Sequence, residues 1–210
     1  KLLKFFLGGK ARVCLAFLYK LLCICLIDLS ALALLIGAVC ALLCAEACYA
    51  FGEFNAEMAA LAKQYGAGYV VMHNPCGADI VQEYKDGVVS HIRNLFLDAL
   101  SLAAETGLCK EQLCFDVGLG FSKSYEDNLE ILRNLEWLKF KGVPLLVAAS
   151  RKRFIGIASG EENSALRDPG TVAAHTAAIA AGADIIRVHD VAGAVQAAKV
   201  ADVIFRKQGE

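Results

Sequence analysis

The feature that most constrains this chain is a strict alternation. From residue 54 onward, short apolar runs take turns with longer amphipathic segments, and each run ends in polar residues. Tyr69-Val70-Val71-Met72 ends in His73-Asn74, and Gln112 to Phe115 ends in Asp116. Pro144 to Ala149 ends in Ser150-Arg151-Lys152-Arg153, and Asp184 to Val188 carries Arg187 just before His189. Such runs read as buried strands. Between them the spacing predicts helices. One starts at Asn55 as cap, runs to Gln64 and stops at Gly66-Ala67-Gly68. A long one covers 81–105, with Val81, Tyr84, Val88, Ile92, Phe96, Ala99 and Ala103 recurring at three and four, and Gly107 closes it. Ser124 to Asp127 resembles a capping box, opening a helix with Leu129, Leu132, Leu135 and Leu138 on one face. Asp168 as N-cap and Pro169 at N1 open an alanine-rich helix to Ala181. Val191 to Arg206 is the last, with Val195, Ala198 and Ile204 among its apolar positions.

Strand and helix in alternation imply a parallel sheet, either open and doubly wound or closed as a (β/α)8 barrel. A dinucleotide-binding sheet should carry GxGxxG in its first turn, and Gly118-x-Gly120 lacks the third glycine. A barrel collects polar function at the C-terminal ends of its strands, which is where the polar residues fall. About six strands are counted, so the expectation is an α/β fold, an incomplete (β/α)8 TIM barrel needing roughly two more strands upstream.

Composition narrows the rest. The 210 residues suit one domain with a sizeable core. A formal net charge of -1 removes any electrostatic case for nucleic acid. Hydrophobic residues make up 57% and mean hydropathy is +0.50, both high. The excess lies in residues 1–50, whose only acids are Asp28 and Glu46. Residues 29–45 carry no charge and reach the short limit for a membrane span. The segment is either membrane-like, a degraded early barrel strand and helix, or corrupted sequence, with residues 51–210 forming the barrel portion. A helix near 10–20 and a strand near 21–27 fit it. The nine cysteines show no paired CxxC spacing, and their number is odd. Zinc and a disulfide framework are both disfavoured, and buried free thiols in a reducing cytoplasm fit better. A first residue that is lysine rather than methionine fits a fragment.

The strand ends then suggest a chemistry. Three cations after Ser150 would repel the positive end of the helix that follows, unless an anion or electron-rich ligand sits there. The plain alternative is a solvated loop. Arg187 and His189 alternate along a strand and would share one face. With Arg151 and Lys152 they make a cationic rim that could hold phosphate oxygens. Salt bridging to a neighbouring helix is the alternative for Arg187. Asp116 beside these cations should stay ionised and could accept paired N–H donors from a guanidine-like ring edge. A helix cap or a partner for Lys152 is its bland role. Phe121 could cover a flat ring, or be plain core, and Gly118 and Gly120 allow close backbone approach. The reading is a barrel for a flat, amidine-bearing substrate with a phosphate-type leaving group.

These residues carry a resemblance. Phe115-Asp116-Val117-Gly118-Leu119-Gly120-Phe121-Ser122-Lys123, Asn128-Leu129, Ala149-Ser150-Arg151-Lys152-Arg153-Phe154-Ile155-Gly156, Arg167-Asp168-Pro169 and Ile186-Arg187-Val188-His189-Asp190-Val191 are similar, in order, to the dihydropteroate synthase family of pterin-binding barrels. The likeness covers roughly residues 52–206. It implies condensation of 6-hydroxymethyl-7,8-dihydropterin pyrophosphate with 4-aminobenzoate, giving dihydropteroate and pyrophosphate. It implies that Asp116, Met72 and Lys152 meet the pterin, and that Phe121 and Lys152 line the aminobenzoate site. Arg187 and His189 would hold the pyrophosphate, with Ser150 and Arg151 supporting the loop and subsite. Lys152, Arg187 and His189 would be the catalytic set. Mg2+ is implied as cofactor, its asparagine ligand expected in an N-terminal Asn-x-Thr-x-Asp-Ser-Phe segment that has no match here. Sulfonamides are implied competitors, and a homodimer the family's assembly. Val117 and Ala148 depart from the family's proline and glycine. Residues 26–30 faintly echo a strand whose Asp28 would bind pterin, while Ala47 stands where the family has a pterin-binding asparagine.

Three functional readings follow: the synthase or a fragment of it, a methyltetrahydrofolate-dependent methyltransferase of the same superfamily, and an inactive or membrane-tethered barrel. The cationic Ser150-Arg151-Lys152 and Arg187-x-His189 pairings favour the first, because a pyrophosphate needs cations.

Overall fold

A computed structural model describes residues 56–76 and 80–206. The elements in order are α1 (Ala56–Tyr65), β1 (Tyr69–Met72), α2 (Val88–Thr106), β2 (Leu113–Asp116), α3 (Tyr125–Arg133), β3 (Leu145–Val147), α4 (Arg153–Ser159), α5 (Asp168–Ala180), β4 (Ile185–Ile186) and α6 (Val191–Phe205). All strand pairs are parallel, and the sheet order is the chain order. That order settles the winding. A doubly wound sheet reverses direction at a switch point, whereas sequential right-handed crossovers put every helix on one face, as in a barrel.

Burial agrees. Tyr69, Val71, Leu113, Phe115, Leu145 and Val147 pack into the helix-side core, joined by Ile92, Phe96 and Ala99 of α2. Of the intervening residues, Val70, Cys114 and Ile185 are half-buried, and Leu146 is buried. The sheet therefore has one face against helices and one facing what would be the barrel interior. Phe96 stacks on Phe115 with ring centroids 4.2 Å apart, and Phe140 meets both edge-on. Truncating a buried ring of this kind typically costs about 3–5 kcal/mol.

Several expectations are corrected. Four of the roughly six expected strands stand among the described residues; the one near 21–27 lies outside them, as do Asn55, Asp28, Ala47 and the 29–45 segment. The long helix begins at Val88 rather than residue 81. Gly87 has φ 82, a conformation that favours glycine, and breaks the segment. Val81 is exposed and Tyr84 turns back to donate its hydroxyl proton to the Ser122 carbonyl, 2.9 Å away. Their spacing matched the helix only by phase, and the Asp86-Gly87 pair was the stop signal. β4 pairs only over Ile185–Ile186 because β3 ends at Val147, although Arg187 N still donates to Val147 O. Asp168 is the first residue of α5 rather than its cap, because its carboxylate is taken by Arg151. α6 buries Ala194, Ala198 and Ala201, leaving Val195 and Ile204 exposed. Small residues let this helix approach closely, so alanines rather than the larger side chains mark its inner face. The 3-4 leucine series is continuous only in part: α3 ends at Arg133 and a 3-10 turn carries Leu135 and Leu138. Cys109 is exposed rather than buried.

The capping box is as read. Ser124 Oγ accepts from Asp127 N at 3.1 Å, and Asp127 Oδ2 accepts from Ser124 N at 2.7 Å. No helix among the described residues is long and apolar enough to cross a membrane.

Candidate active site

The site assembles along the C-terminal edge of the sheet. Met72 and Asp116 are register partners on β1 and β2, and Asp116 pairs with Leu146 of β3. Val147 then pairs with Ile186, so Ser150 and Arg187 leave neighbouring strand tips. Asp116, Lys152, Arg187 and His189 thus all lie at one end of the sheet.

The turn after β2 is built by glycine. Gly118 has φ 64, and a methyl there would overlap the His73 carbonyl oxygen. The Gly118 N–H donates to Asp116 Oδ1 at 2.8 Å, tying the buried carboxylate to its own turn. Gly120, at φ 78, donates its N–H to Asn128 Oδ1 at 2.7 Å. Ser122, at φ 52, is fully buried, accepts from Cys76 N and contacts Asn74 Oδ1 through its hydroxyl. Lys123 plugs the underside. It is 7% exposed, and its Nζ donates to the carbonyls of His73 at 3.0 Å, Gly118 at 2.9 Å and Phe121 at 2.9 Å. Burial pushes its ammonium down to about 7, opposed by the charge of Asp116.

Lys152 reaches across from the β3 turn. Its Nζ donates to the Leu119 carbonyl and lies 4.0 Å from the centroid of the Phe121 ring. Phe121 is half-buried, so its ring forms a wall beside Asp116's turn rather than core. Ser150 links the next two tips. Its Oγ accepts from His189 N at 3.0 Å and lies 2.8 Å from His189 Nδ1. With that hydroxyl donating to Nδ1, Nε2 carries the imidazole proton outward. Burial, then the Arg151 and Arg187 charges, hold His189 below its ordinary pKa.

Arg151 departs from the expected rim. It has φ 58, and its guanidinium grips Asp168 in a fork, Nε to Oδ1 at 2.8 Å and Nη2 to Oδ2 at 2.7 Å. Its backbone N–H donates to Thr171 Oγ1, and Arg167 Nη1 donates to its carbonyl. Arg151 is therefore engaged by a carboxylate rather than presented free to a phosphate. His175 supports the same turn from α5: its Nε2 accepts from Ala149 N at 3.1 Å. Ala148 is buried at 3% exposure, so its methyl is accommodated beneath the turn.

Sequence reasoning missed Lys123 and His175. A lysine just after a glycine-rich turn, where carbonyls point inward, was the available signal for Lys123. Nothing in the spacing announced His175. No group of three or more histidine, cysteine, aspartate or glutamate residues able to hold a metal occurs among the described residues.

Residues 49–189 match the pterin binding enzyme family. Among the relatives, a dihydropteroate synthase of Synechocystis is 41% identical over 156 residues, covering 73% of this chain and 54% of that protein. The structure of Thermus thermophilus dihydropteroate synthase in complex with 6HMPPP superposes with a TM-score of 0.66 at 38% identity, covering 73% of this chain and 60% of that one. That of Xanthomonas albilineans dihydropteroate synthase with 7,8-dihydropteroate gives 0.66 at 34%, covering 75% and 58%. The chain spans about half the length of the relatives it matches. By sequence match and by fold, this chain belongs to the family of pterin-binding enzymes.

Proposed function

We propose that this chain carries the pterin and pyrophosphate portion of a dihydropteroate synthase, condensing 6-hydroxymethyl-7,8-dihydropterin pyrophosphate with 4-aminobenzoate to give 7,8-dihydropteroate and pyrophosphate. One observation carries the reading: a buried carboxylate, Asp116, shares a sheet edge with Lys152, Arg187 and His189. A carboxylate with one oxygen already receiving Gly118 N–H retains lone pairs for the paired N–H donors of a pterin edge. Met72 packs beside it, and Asp28, outside the described residues, would be a further contact. Charge developing on the departing pyrophosphate is met by the Arg187 guanidinium and by His189 Nε2–H. Phe121 and Lys152 hold the arylamine; once the bond from the methylene carbon to pyrophosphate oxygen has broken, the amine nitrogen attacks that carbon and releases one proton to the departing pyrophosphate or water. Ser150 orients His189, and Arg151 braces the turn through Asp168.

The family resemblance implies Mg2+, but the donor set at these tips is cationic and lacks a carboxylate cluster among the described residues. It does not fit a divalent cation, and no step here runs through one. Sulfonamides, being shaped like 4-aminobenzoate, are the expected competitors. A homodimer is the expected assembly. Three free cysteines among the described residues support a reducing cytoplasm.

Calorimetry with a pterin ligand and with 4-aminobenzoate, beside a turnover assay, tests this. Lys152→Ala should abolish binding of both, and unchanged turnover would rule out the assignment. A chain that binds neither ligand would instead be the inactive barrel.

A further inference from the structure

Lys123 has no part in the chemistry above, yet it is among the most buried charged groups described. An ammonium has three donors, and three main-chain carbonyls receive them. Those carbonyls belong to two different strand tips: His73 follows β1, while Gly118 and Phe121 bracket the turn after β2. The Gly118 peptide is the shared piece. Its carbonyl accepts from Lys123, and the N–H of the same residue holds Asp116 Oδ1. The close approach of Gly118 to His73 leaves no room for a side chain, so the ammonium sits in a cradle shaped for it.

We propose that Lys123 is a positioning residue for the pterin site: it fastens the β1 and β2 tips together and supplies the buried counter-charge that keeps the Asp116 carboxylate ionised and aimed. A buried carboxylate without a nearby cation takes up a proton. Lys152 also lies in this region, half-exposed, with its ammonium at the Leu119 carbonyl and over the Phe121 ring. The groups facing Lys123 are Asp116 from β2, Lys152 from the β3 turn, Asp127 from α3, His73 beyond β1 and His91 from α2. Asp116 and Asp127 favour its charge, Lys152 opposes it, and burial holds both imidazoles below their ordinary pKa beside it.

What this predicts for ligand binding rests on the pterin reading of Asp116. What it predicts for the titration of Asp116 does not. The full chain, with aspartate carboxyl carbons labelled, is titrated by carbon NMR as wild type, Lys123→Met and Lys123→Arg. In Lys123→Met the Asp116 midpoint should rise by a pH unit or more, and in Lys123→Arg it should stay near wild type. An unmoved midpoint in Lys123→Met overturns the proposal. If Lys123→Met does not fold, the wild-type protein decides: the Asp116 signal should show a second inflection at the midpoint of the Lys123 Cε signal, and its absence overturns the proposal. Calorimetry with a pterin ligand adds the functional arm. Wild-type affinity should be flat between pH 5 and 7, and that of Lys123→Met should fall at least tenfold from pH 7 to 5. Failure of wild type to bind any pterin counts against the proposed function, and leaves the carboxyl titration to judge Lys123.

Discussion

The turns after β2 and β3 face the same end of the sheet but are built oppositely. In residues 116–123 the polar side chains are tied to main chain: Asp116 to Gly118 N–H, Lys123 to three carbonyls. In residues 150–152 side chains also pair with side chains, Ser150 with His189 and Arg151 with Asp168, while Lys152 donates to a main-chain acceptor, the Leu119 carbonyl. The first turn is buried and the second half-exposed. Main-chain ties fix a group in place without adding mobile partners, which suits reading the rigid edge of a ring. Side-chain pairs near solvent can be exchanged for an incoming anion at little cost. On the proposed function, the contrast would separate ring recognition from anion capture along one sheet edge.

Two glycine substitutions would break that contrast. Gly118→Ala forces a methyl onto the His73 backbone oxygen at a positive φ, and neither backbone can yield without losing the Lys123 cradle. The expected loss is about 3 kcal/mol or more, read as a fall in thermal unfolding temperature. Gly120→Ala puts its methyl 2.7 Å from Lys152 Cδ, the far part of a flexible chain. Only the left-handed backbone penalty remains, about 1–2 kcal/mol. Equal losses at both positions would show that the main-chain contact under Gly118 is no stiffer than the Lys152 side-chain contact beside Gly120.

Acid sharpens the same comparison. All four histidines are held below their ordinary pKa, each chiefly by burial. His73, under the first turn, is pushed down to about 2, and His175, under the second, to about 4. A lowered folded pKa means the unfolded chain takes the proton first, so stability is full above about pH 6.5 and falls with pH. The His175 share is lost between 6.5 and about 4, roughly 3 kcal/mol in all. His73 keeps costing stability down to about 2. His175→Gln retains an acceptor for Ala149 N–H without titrating. Near pH 5 it should cut the slope of stability against pH by about one proton. An unchanged slope would mean that His175 is protonated in the folded protein.

The alternation of apolar runs gave the parallel sheet, and the polar strand ends gave the side chains gathered at one end of it, because both follow from periodicity that a chain displays openly. Asp116, Lys152, Arg187 and His189 were legible for that reason. Lys123 was not, since its role depends on the His73 carbonyl brought in from another strand. Arg151 was placed in a cationic rim without its counter-charge, because Asp168 is seventeen positions away and reaches it only through folding. The start of α2 was misread because Tyr84 kept helical phase while packing against Ser122. Local pattern locates strand tips, while the partners that occupy their side chains are set by tertiary contact.

The smallest expected effect tests the exchangeable turn. Asp168 and Arg151 are each about a quarter to a third exposed, so solvent screens their fork and it adds little to stability. Asp168→Asn should therefore barely change the unfolding temperature. Thr171 Oγ1 and Arg167 still hold the Arg151 backbone, so the turn keeps its shape. The guanidinium, however, loses the carboxylate that competes with any anion, and the rim gains one positive charge. Inorganic pyrophosphate should then bind about three- to tenfold more tightly at low ionic strength, with the gain shrinking as salt screens it. Weaker pyrophosphate binding would mean that Asp168 aims Arg151 at the anion rather than restraining it, and the second turn would then be as fixed as the first.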